Sequence, residues 1–293
     1  MWPDRRLIEL LQVEHPLVLA PMAGIGTAEL AASVCAAGGL GSIPCAGMQP
    51  ELAAKTIQAL RALTDKPINV NFFCHIQAEA DAAREKAWGD RLSPYYRELG
   101  IERESPYPRV DLAPFDDARC RVVEDTKPEV VSFHFGLPNS ALLARVKAAD
   151  CRVMASATTV AEAIWLEARG VDIIIAQGYE AGGHRGMFLG RNLNRASASQ
   201  PGTLALVPQV VDAVSVPVVA AGGIGDGRGI AAAFALGAAG TQIGTAYLLC
   251  PEAATPSLYR DALRQARADA TFLTNVFTGR PARALVNRLE HFK

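Results

Sequence analysis

The sequence of 293 residues predicts an α/β protein, and within that class a (β/α)8 TIM barrel with a long insertion after strand 3. Two observations predict this fold. Short apolar runs rich in β-branched residues alternate with longer alanine-rich segments, eight times along the chain. The apolar runs are nearly continuous instead of alternating with polar residues, which is typical of parallel strands covered on both faces.

The individual elements follow from the same pattern. Strands are predicted at residues 17–20, 39–43, 67–72, 130–135, 152–156, 172–176, 216–220 and 240–244. Helices are predicted near residues 27–37, 50–63, 115–125, 138–149, 158–169, 202–214, 225–237 and 256–268. Thr158 or Thr159 can cap the helix that follows them, and Gly170 suits the C-terminal end of that helix.

Two stretches are longer than a minimal barrel needs. Residues 77–114 separate the third strand from its helix, and residues 178–201 separate the sixth strand from its helix. Both begin at the carboxyl end of a strand, where the active sites of barrels lie. Because long loops in compact proteins often bind ligands or cover them, we expect a lid-like insertion at 77–114 within one domain spanning residues 1–293.

Composition and charge exclude several classes of partner. The formal net charge is −1, so neither a nucleic acid nor an anionic membrane is expected as a partner. No apolar stretch suits a signal peptide or a membrane span, and we expect a cytoplasmic location. The six scattered cysteines indicate small reduced hydrophobic residues, although Cys74 beside His75 leaves a nucleophilic cysteine as the alternative. A homodimer is left open.

Glycine-rich segments end the last two predicted strands. Residues 220–229 read AAGGIGDGRG, and residues 240–246 read GTQIGTA. Glycine lets the backbone approach an anion closely, and a helix N-terminus supplies free N–H groups. Because the loops after strands seven and eight of a barrel form a recurrent phosphate site, these segments predict a phosphate-bearing ligand. A Rossmann fold is disfavoured, because the third glycine and the later acidic residue of its motif are missing.

A third glycine-rich segment follows the sixth strand. Residues 177–186 read QGYEAGGHRG, and His184 lies in this loop at the catalytic end of the barrel. An imidazole titrates near neutral pH, so His184 is a candidate proton acceptor. Glu180 is interpreted as a structural residue that pairs with Arg185 or faces solvent.

Three further segments reach the same end of the barrel. Asn71 faces inward with Asn69 through the two-residue period of a strand, and its amide suits a flavin ring edge or a phosphate. His134 is a candidate substrate-pocket residue, with a buried hydrogen-bonded histidine as the alternative. Residues 20–24, APMAG, bring main-chain groups to the mouth. No pattern of metal ligands is present in the sequence, so no metal is expected.

Together these segments resemble the nitronate monooxygenases, formerly called 2-nitropropane dioxygenases, from Pro16 to about Arg288. Residues 69–75 (NVNFFCH) and 132–136 (SFHFG) resemble the class I branch in particular. The resemblance implies FMN bound non-covalently and a nitronate, such as propionate 3-nitronate, as substrate. It also implies that the nitronate reduces FMN by one electron and that O2 is incorporated, so that a carbonyl compound and nitrite form without a nicotinamide.

Site residues carry over from the family motifs to the matching positions. His184 matches the catalytic histidine, and His134 remains the candidate for the substrate pocket. The expected FMN-binding residues lie at five strand ends and in the loop after the sixth strand: Pro21, Met22, Asn71, Gln177, Gly182, Gly222, Gly223, Gln242, Ile243, Gly244 and Thr245. Members of the family continue past the region of Asn287 with further helix, whereas this sequence ends at Lys293.

Two alternatives stay open at this point. Flavin-dependent enoyl-acyl-carrier reductases, which use NAD(P)H as related quinone reductases do, resemble the sequence at residues 180–184 and 221–224. Residues 69–75 and 132–136 argue against them. The other alternative is a flavin- or phosphate-binding protein without catalytic activity.

Overall fold

The computed structural model describes residues 2–77, 79, 81–102, 112–190, 200–267 and 269–289. The strands of this part are β1 (Leu17–Leu19), β2 (Gly41–Pro44), β3 (Ile68–Phe73), β4 (Val130–His134), β5 (Arg152–Ala157), β6 (Ile173–Gln177), β7 (Gly183–His184), β8 (Val218–Ala221), β9 (Gly240–Ile243), β10 (Thr271–Thr274) and β11 (Ala282–Leu285). Its α-helices are α1 (Arg6–Leu11), α2 (Ala28–Ala36), α3 (Pro50–Leu63), α4 (Ala82–Glu98), α5 (Asp117–Thr126), α6 (Ser140–Ala148), α7 (Val160–Glu167), α8 (Thr203–Ala213), α9 (Gly227–Ala235) and α10 (Ser257–Gln265).

Eight parallel strands form the barrel that the sequence predicts. Their order is β1-β9-β8-β6-β5-β4-β3-β2, and each strand pairs with its neighbour in parallel. The ends of this sheet meet at a bridge between Val18 and Leu40. There the Leu40 N–H donates to Leu17 O at 2.8 Å, and the Leu19 N–H donates to Leu40 O at 2.9 Å. The TIM-barrel prediction is therefore confirmed.

Helix α1, which the sequence analysis did not predict, covers the amino-terminal end of the barrel. Its Leu7 and Leu11 are buried in one cluster with barrel residues such as Met154 and Ile175. A Cβ atom at Gly240 would lie 2.4 Å from the Leu7 side chain, so this strand end needs a glycine to admit the helix. Because helix α1 fills this end of the barrel, only the opposite end is open to a ligand.

Helix ends follow the predicted chemistry. The Thr159 hydroxyl accepts a hydrogen bond from the Glu162 N–H at 3.2 Å at the start of α7, and Gly170 after that helix has a φ of +78°. Thr27 and Asn139 cap α2 and α6 in the same way. These local signals explain why the predicted and observed helices of the barrel agree within a few residues.

Two structures near the mouth were not predicted. Helix α4 lies inside the insertion at 77–114. Strands β10 and β11 form an antiparallel hairpin, and β11 also pairs with the two-residue strand β7, with Ala282 opposite His184 and Arg283 opposite Gly183. The loop that carries His184 is thus part of a second, three-stranded sheet. None of the described helices is long and apolar enough to cross a lipid bilayer.

Candidate active site

The predicted site residues come together at the carboxyl ends of the barrel strands. They follow the strands in chain order: Pro21 and Met22 after β1, Asn71 on β3, His134 at the end of β4, Gln177 at the end of β6, Gly182 and His184 at β7, Gly222 and Gly223 after β8, and Gln242, Ile243, Gly244 and Thr245 at the end of β9. Several of these elements pack closely against one another. A Cβ atom added at Gly244 would lie 3.8 Å from Met22 Sδ, and a Cβ atom added at Gly182 would lie 3.0 Å from Thr245 Oγ1.

The loop after β8 is a tight glycine turn. Gly222 and Gly223 have φ values of +115° and +71°, which residues with a Cβ rarely adopt. A Cβ at Gly222 would also lie 2.8 Å from the backbone nitrogen of Ala181, so the loop after β6 packs directly against this turn. Only glycine satisfies both the conformation and the contact.

Free backbone amides occur next to this turn. The 3₁₀ helix Thr245–Leu249 begins directly after Gly244, and no side chain caps it. The N–H groups of Gly223, Gly244 and Thr245 make no hydrogen bond to another residue of the described ranges. Unpaired N–H groups at a helix start, beside a glycine turn, are the usual elements of a phosphate site.

The start of α9 differs from the expectation for a helix that binds phosphate. The Asp226 carboxylate accepts hydrogen bonds from the N–H groups of Arg228 at 2.9 Å and Gly229 at 3.2 Å. It also pairs with the Arg228 guanidinium at 2.5 Å, which lowers the pKa of Asp226. The candidate anion site therefore consists of the glycine turn and the start of the 3₁₀ helix, because Asp226 already pairs with N–H groups at the start of α9.

Asn71 and Gln242 on the inner wall retain unused acceptors. Asn71 donates through Nδ2 to Ser132 O at 3.1 Å and to Ser132 Oγ at 3.0 Å, which leaves its Oδ1 for a ligand. Gln242 Oε1 is buried and has no hydrogen-bond partner among the described residues. Because a buried polar atom without a partner is unfavourable, the Gln242 amide fits a ligand with hydrogen-bonding edges. The residues present thus fit a phosphate-bearing flavin. The turn at Gly222 and Gly223 with the free N–H groups of Gly244 and Thr245, called the cradle below, would hold its phosphate, and the amides would contact its ring.

The backbone of His184 is held by two side chains that the sequence assigned to ligands. Gln177 Nε2 donates to His184 O at 2.9 Å, and the Gly186 N–H donates to Gln177 Oε1 at 2.8 Å. His134 Nε2 lies 3.2 Å from the same His184 oxygen, and His134 Nδ1 lies 3.0 Å from Ser156 Oγ. Because a carbonyl only accepts, His134 donates from Nε2 and accepts from Ser156.

These contacts favour a supporting role for His134 and Gln177. Desolvation by burial, with the nearby His184, lowers the pKa of His134 to about 3, so its ring is neutral at physiological pH. Both nitrogens of His134 are used within the protein, which corresponds to the alternative of a buried, hydrogen-bonded histidine. Both ends of the Gln177 amide are also used. We therefore interpret the two residues as supports for His184.

The imidazole of His184 points to the mouth. Its Nε2 lies 2.8 Å from Thr278 Oγ1 in the β10–β11 turn, and its ring contacts Phe73 and Phe135 at centroid distances of 6.0 and 5.8 Å. Burial, the Arg280 charge and His75 lower its pKa below 6.5. His184 Nδ1 makes no hydrogen bond within the described part of the chain. The ring is consequently neutral at pH 7 and open to a ligand.

Arg185 and Glu162 hold the loop from inside, and the sequence analysis assigned neither of them to the site. Arg185 is fully buried and donates to the carbonyl oxygens of Gly178 and Gln177, the latter at 2.8 Å, and to Gln200 Oε1 at 2.6 Å. Burial lowers its pKa to about 10. The buried Glu162 carboxylate accepts from the Thr158 N–H and the Phe188 N–H, both at 2.7 Å. Arg185 lies in a loop and Glu162 in the first turn of a helix, so neither residue shows a local sequence signal that it supports the loop.

Two other sequence interpretations are resolved. Glu180 is exposed and structural, as one of its two alternatives expected, and it forms no ion pair with Arg185. Its Oε2 accepts hydrogen bonds from Thr203 N and Thr203 Oγ1, both at 2.8 Å, at the start of α8. Burial raises the pKa of Cys74 well above its ordinary value, which disfavours a thiolate. The alternative of a nucleophilic cysteine beside His75 therefore loses its basis.

Comparisons with known proteins agree with this geometry. The nitronate monooxygenase family matches residues 4–291. The chain is 46% identical over 285 residues to a nitronate monooxygenase of Pseudomonas aeruginosa, covering 97% of this chain and 80% of that protein. A nitroalkane oxidase from Streptomyces ansochromogenes superposes with a TM-score of 0.88 at 39% identity, covering 98% and 80% of the two chains. FabK from Thermotoga maritima superposes with a TM-score of 0.76 at 31% identity, covering 100% and 77%.

The match along nearly the whole chain and the shared barrel lead to one conclusion. The chain belongs to the nitronate monooxygenase family of flavin-dependent oxidoreductases.

Proposed function

We propose that this protein binds FMN and converts alkyl nitronates, with O2, into carbonyl compounds and nitrite. The observation that carries the proposal is the neutral His184, held at the barrel mouth beside a glycine cradle suited to phosphate. The names of the Pseudomonas and Streptomyces relatives support the same substrate class. Bound FMN supplies the redox step.

The chain itself binds and orients. The N–H groups of Gly223, Gly244 and Thr245 would bind the FMN phosphate, and the amides of Asn71 and Gln242 would contact its ring. Pro21, Met22, Gly182, Gly222 and Ile243 would complete the wall around it. Because the cradle consists mainly of backbone N–H groups, it recognises the phosphate without a cationic side chain.

His184 would act on the substrate. Its neutral ring can take the α-proton of a nitroalkane, or donate a hydrogen bond to a nitronate that arrives as an anion. Arg280 and His75 are the charged or titratable groups that lower its pKa, and both oppose a proton on the ring. A bound anionic substrate would raise the pKa of His184, and its negative charge would strengthen the hydrogen bond that the His184 ring donates to it.

The compound that reduces the flavin distinguishes the proposed function from the reductase alternative. FabK has a related structure, and the sequence resembles NAD(P)H-dependent enoyl reductases at two motifs. We expect propionate 3-nitronate to bleach the bound flavin under anaerobic conditions, and NADH to leave its absorbance unchanged. Rapid bleaching by NADH without a response to nitronate would favour the reductase.

Substitution of His184 tests its place in the chemistry. We expect His184→Asn to retain FMN and to lower kcat/KM for a nitronate by about 100-fold, the typical range for a lost acid–base group. His15→Asn, which changes an exposed histidine near the N-terminus, is the matched control. Full activity of the His184 variant would remove this residue from the mechanism.

A further inference from the structure

Arg280 is a half-buried cation in the turn between β10 and β11. Its Nη2 donates to Ile76 O at 3.1 Å, and its guanidinium carbon lies 4.8 Å from the centre of the Phe135 ring. No carboxylate of the described residues lies within ion-pair distance of it. The remaining nitrogens of the guanidinium are therefore available, and a partly buried cation without an anion is a strong binding group.

The position of Arg280 relates it to His184. Both groups pack against Phe135, since the His184 ring centroid lies 5.8 Å and the Arg280 guanidinium carbon 4.8 Å from the centre of that ring. The positive charge of Arg280 also lowers the pKa values of His75, His134 and His184. The wall around Phe135 is thus electropositive and has an apolar centre.

We infer that Arg280 binds a carboxylate at the far end of the substrate, while His184 faces the nitronate. This inference rests on the proposed function, and it makes Arg280 a specificity-determining residue. A guanidinium matches the two oxygens of a carboxylate, and the Phe135 ring between Arg280 and His184 suits the methylene group that joins two anionic ends. A nitronate with an uncharged tail would leave Arg280 without its partner.

Two nitronates of equal length test the inference. Propionate 3-nitronate carries a carboxylate where propyl-1-nitronate carries a methyl group. We expect Arg280→Gln to lower the ratio of their kcat/KM values by about 10- to 100-fold, the effect of one lost charged hydrogen-bonding partner. Arg280→Lys should restore part of the ratio, and Arg264→Gln, which removes the same charge from the exposed face of α10, should leave it unchanged. An equal loss for both substrates, or no change in the ratio, would overturn the inference.

Binding without turnover separates this inference from the proposed function. Calorimetric titration of the flavin-loaded protein with succinate, and with butyrate as the monoanion of similar length, needs no reaction. We expect succinate to bind more tightly than butyrate to the wild type, and Arg280→Gln to abolish the difference. Equal binding of the two anions by the wild type would contradict the role of Arg280. If succinate binding depends on Arg280 but no nitronate reacts, the proposed function fails and the carboxylate site stands.

Discussion

The two halves of the barrel mouth are constructed in different ways. On the proposed phosphate side, Gly222, Gly223 and Gly244 shape a cradle from the backbone of two neighbouring strand ends. On the opposite side, His184 depends on partners from remote parts of the chain, among them Thr278, 94 residues away. The cradle is therefore a local structure, whereas the histidine side exists only when β7 pairs with the hairpin.

This difference indicates which substitutions would affect each side of the mouth. The cradle tolerates little change at Gly222 and Gly223 because residues with a Cβ rarely adopt their positive φ values. The histidine side depends on interior groups, since Gln177 and His134 hydrogen-bond to His184 O and Arg185 hydrogen-bonds to Gln177 O. Substitutions can therefore damage flavin binding and catalysis separately.

The largest expected effect breaks the phosphate side alone. Gly222→Ala combines a strained φ with a contact to the Ala181 nitrogen, at a cost of about 1–3 kcal/mol for the strain alone. We expect the purified variant to lose most of its flavin while circular dichroism shows a folded barrel. Gly227→Ala is the control, because a Cβ there meets nothing within 4 Å and Gly227 begins α9. Normal flavin content in the Gly222 variant would show that the turn is not part of the site.

The next effect breaks the histidine side. Arg185→Met removes the buried donor to Gln177 O and Gln200 Oε1 and leaves these acceptors unpaired. We expect the free energy of unfolding to fall by about 2–4 kcal/mol, and kcat to fall more than flavin affinity. Denaturant unfolding and flavin titration measure both quantities, with Arg264→Met as the exposed control. Unchanged stability would mean that Arg185 does not support the loop.

The smallest expected effect is a pH dependence from His134. Its pKa is about 3 in the folded protein, compared with 6.5 for an unperturbed histidine. Below pH 6.5 the unfolded chain takes up a proton that folded His134 does not, so stability is complete above that pH and is lost as the pH falls towards 3. Between pH 7 and pH 5 the loss is about 2 kcal/mol.

His134→Gln removes this loss and keeps a donor for His184 O. We expect its free energy of unfolding to depend less on pH than that of the wild type or of His15→Asn. If the free energy of unfolding of His134→Gln and of the wild type changed equally with pH, His134 would take up a proton as readily in the folded protein as in the unfolded chain.

Much of the fold and part of the site could be predicted from the sequence. Continuous apolar runs such as 130–135 and 172–176 indicated the buried parallel strands, because burial on both faces leaves no alternation. The glycine segments after the last two strands indicated the cradle, since its conformation depends on residues adjacent in the chain. The roles of Gln177 and His134 were not predictable, because a polar residue at a strand end serves a ligand or a neighbouring loop equally well.

The sequence by itself determined the eight-stranded barrel, the end of it that is expected to bind ligands and the loop that carries His184. The tertiary structure alone decided what surrounds that histidine. Gly183 and His184 have no apolar period of their own, and they become a strand only through hydrogen bonds to β11. Pairing between segments about 100 residues apart leaves no local pattern, because backbone hydrogen bonds do not require particular side chains. For the same reason, Arg280 joins the mouth only in the folded chain.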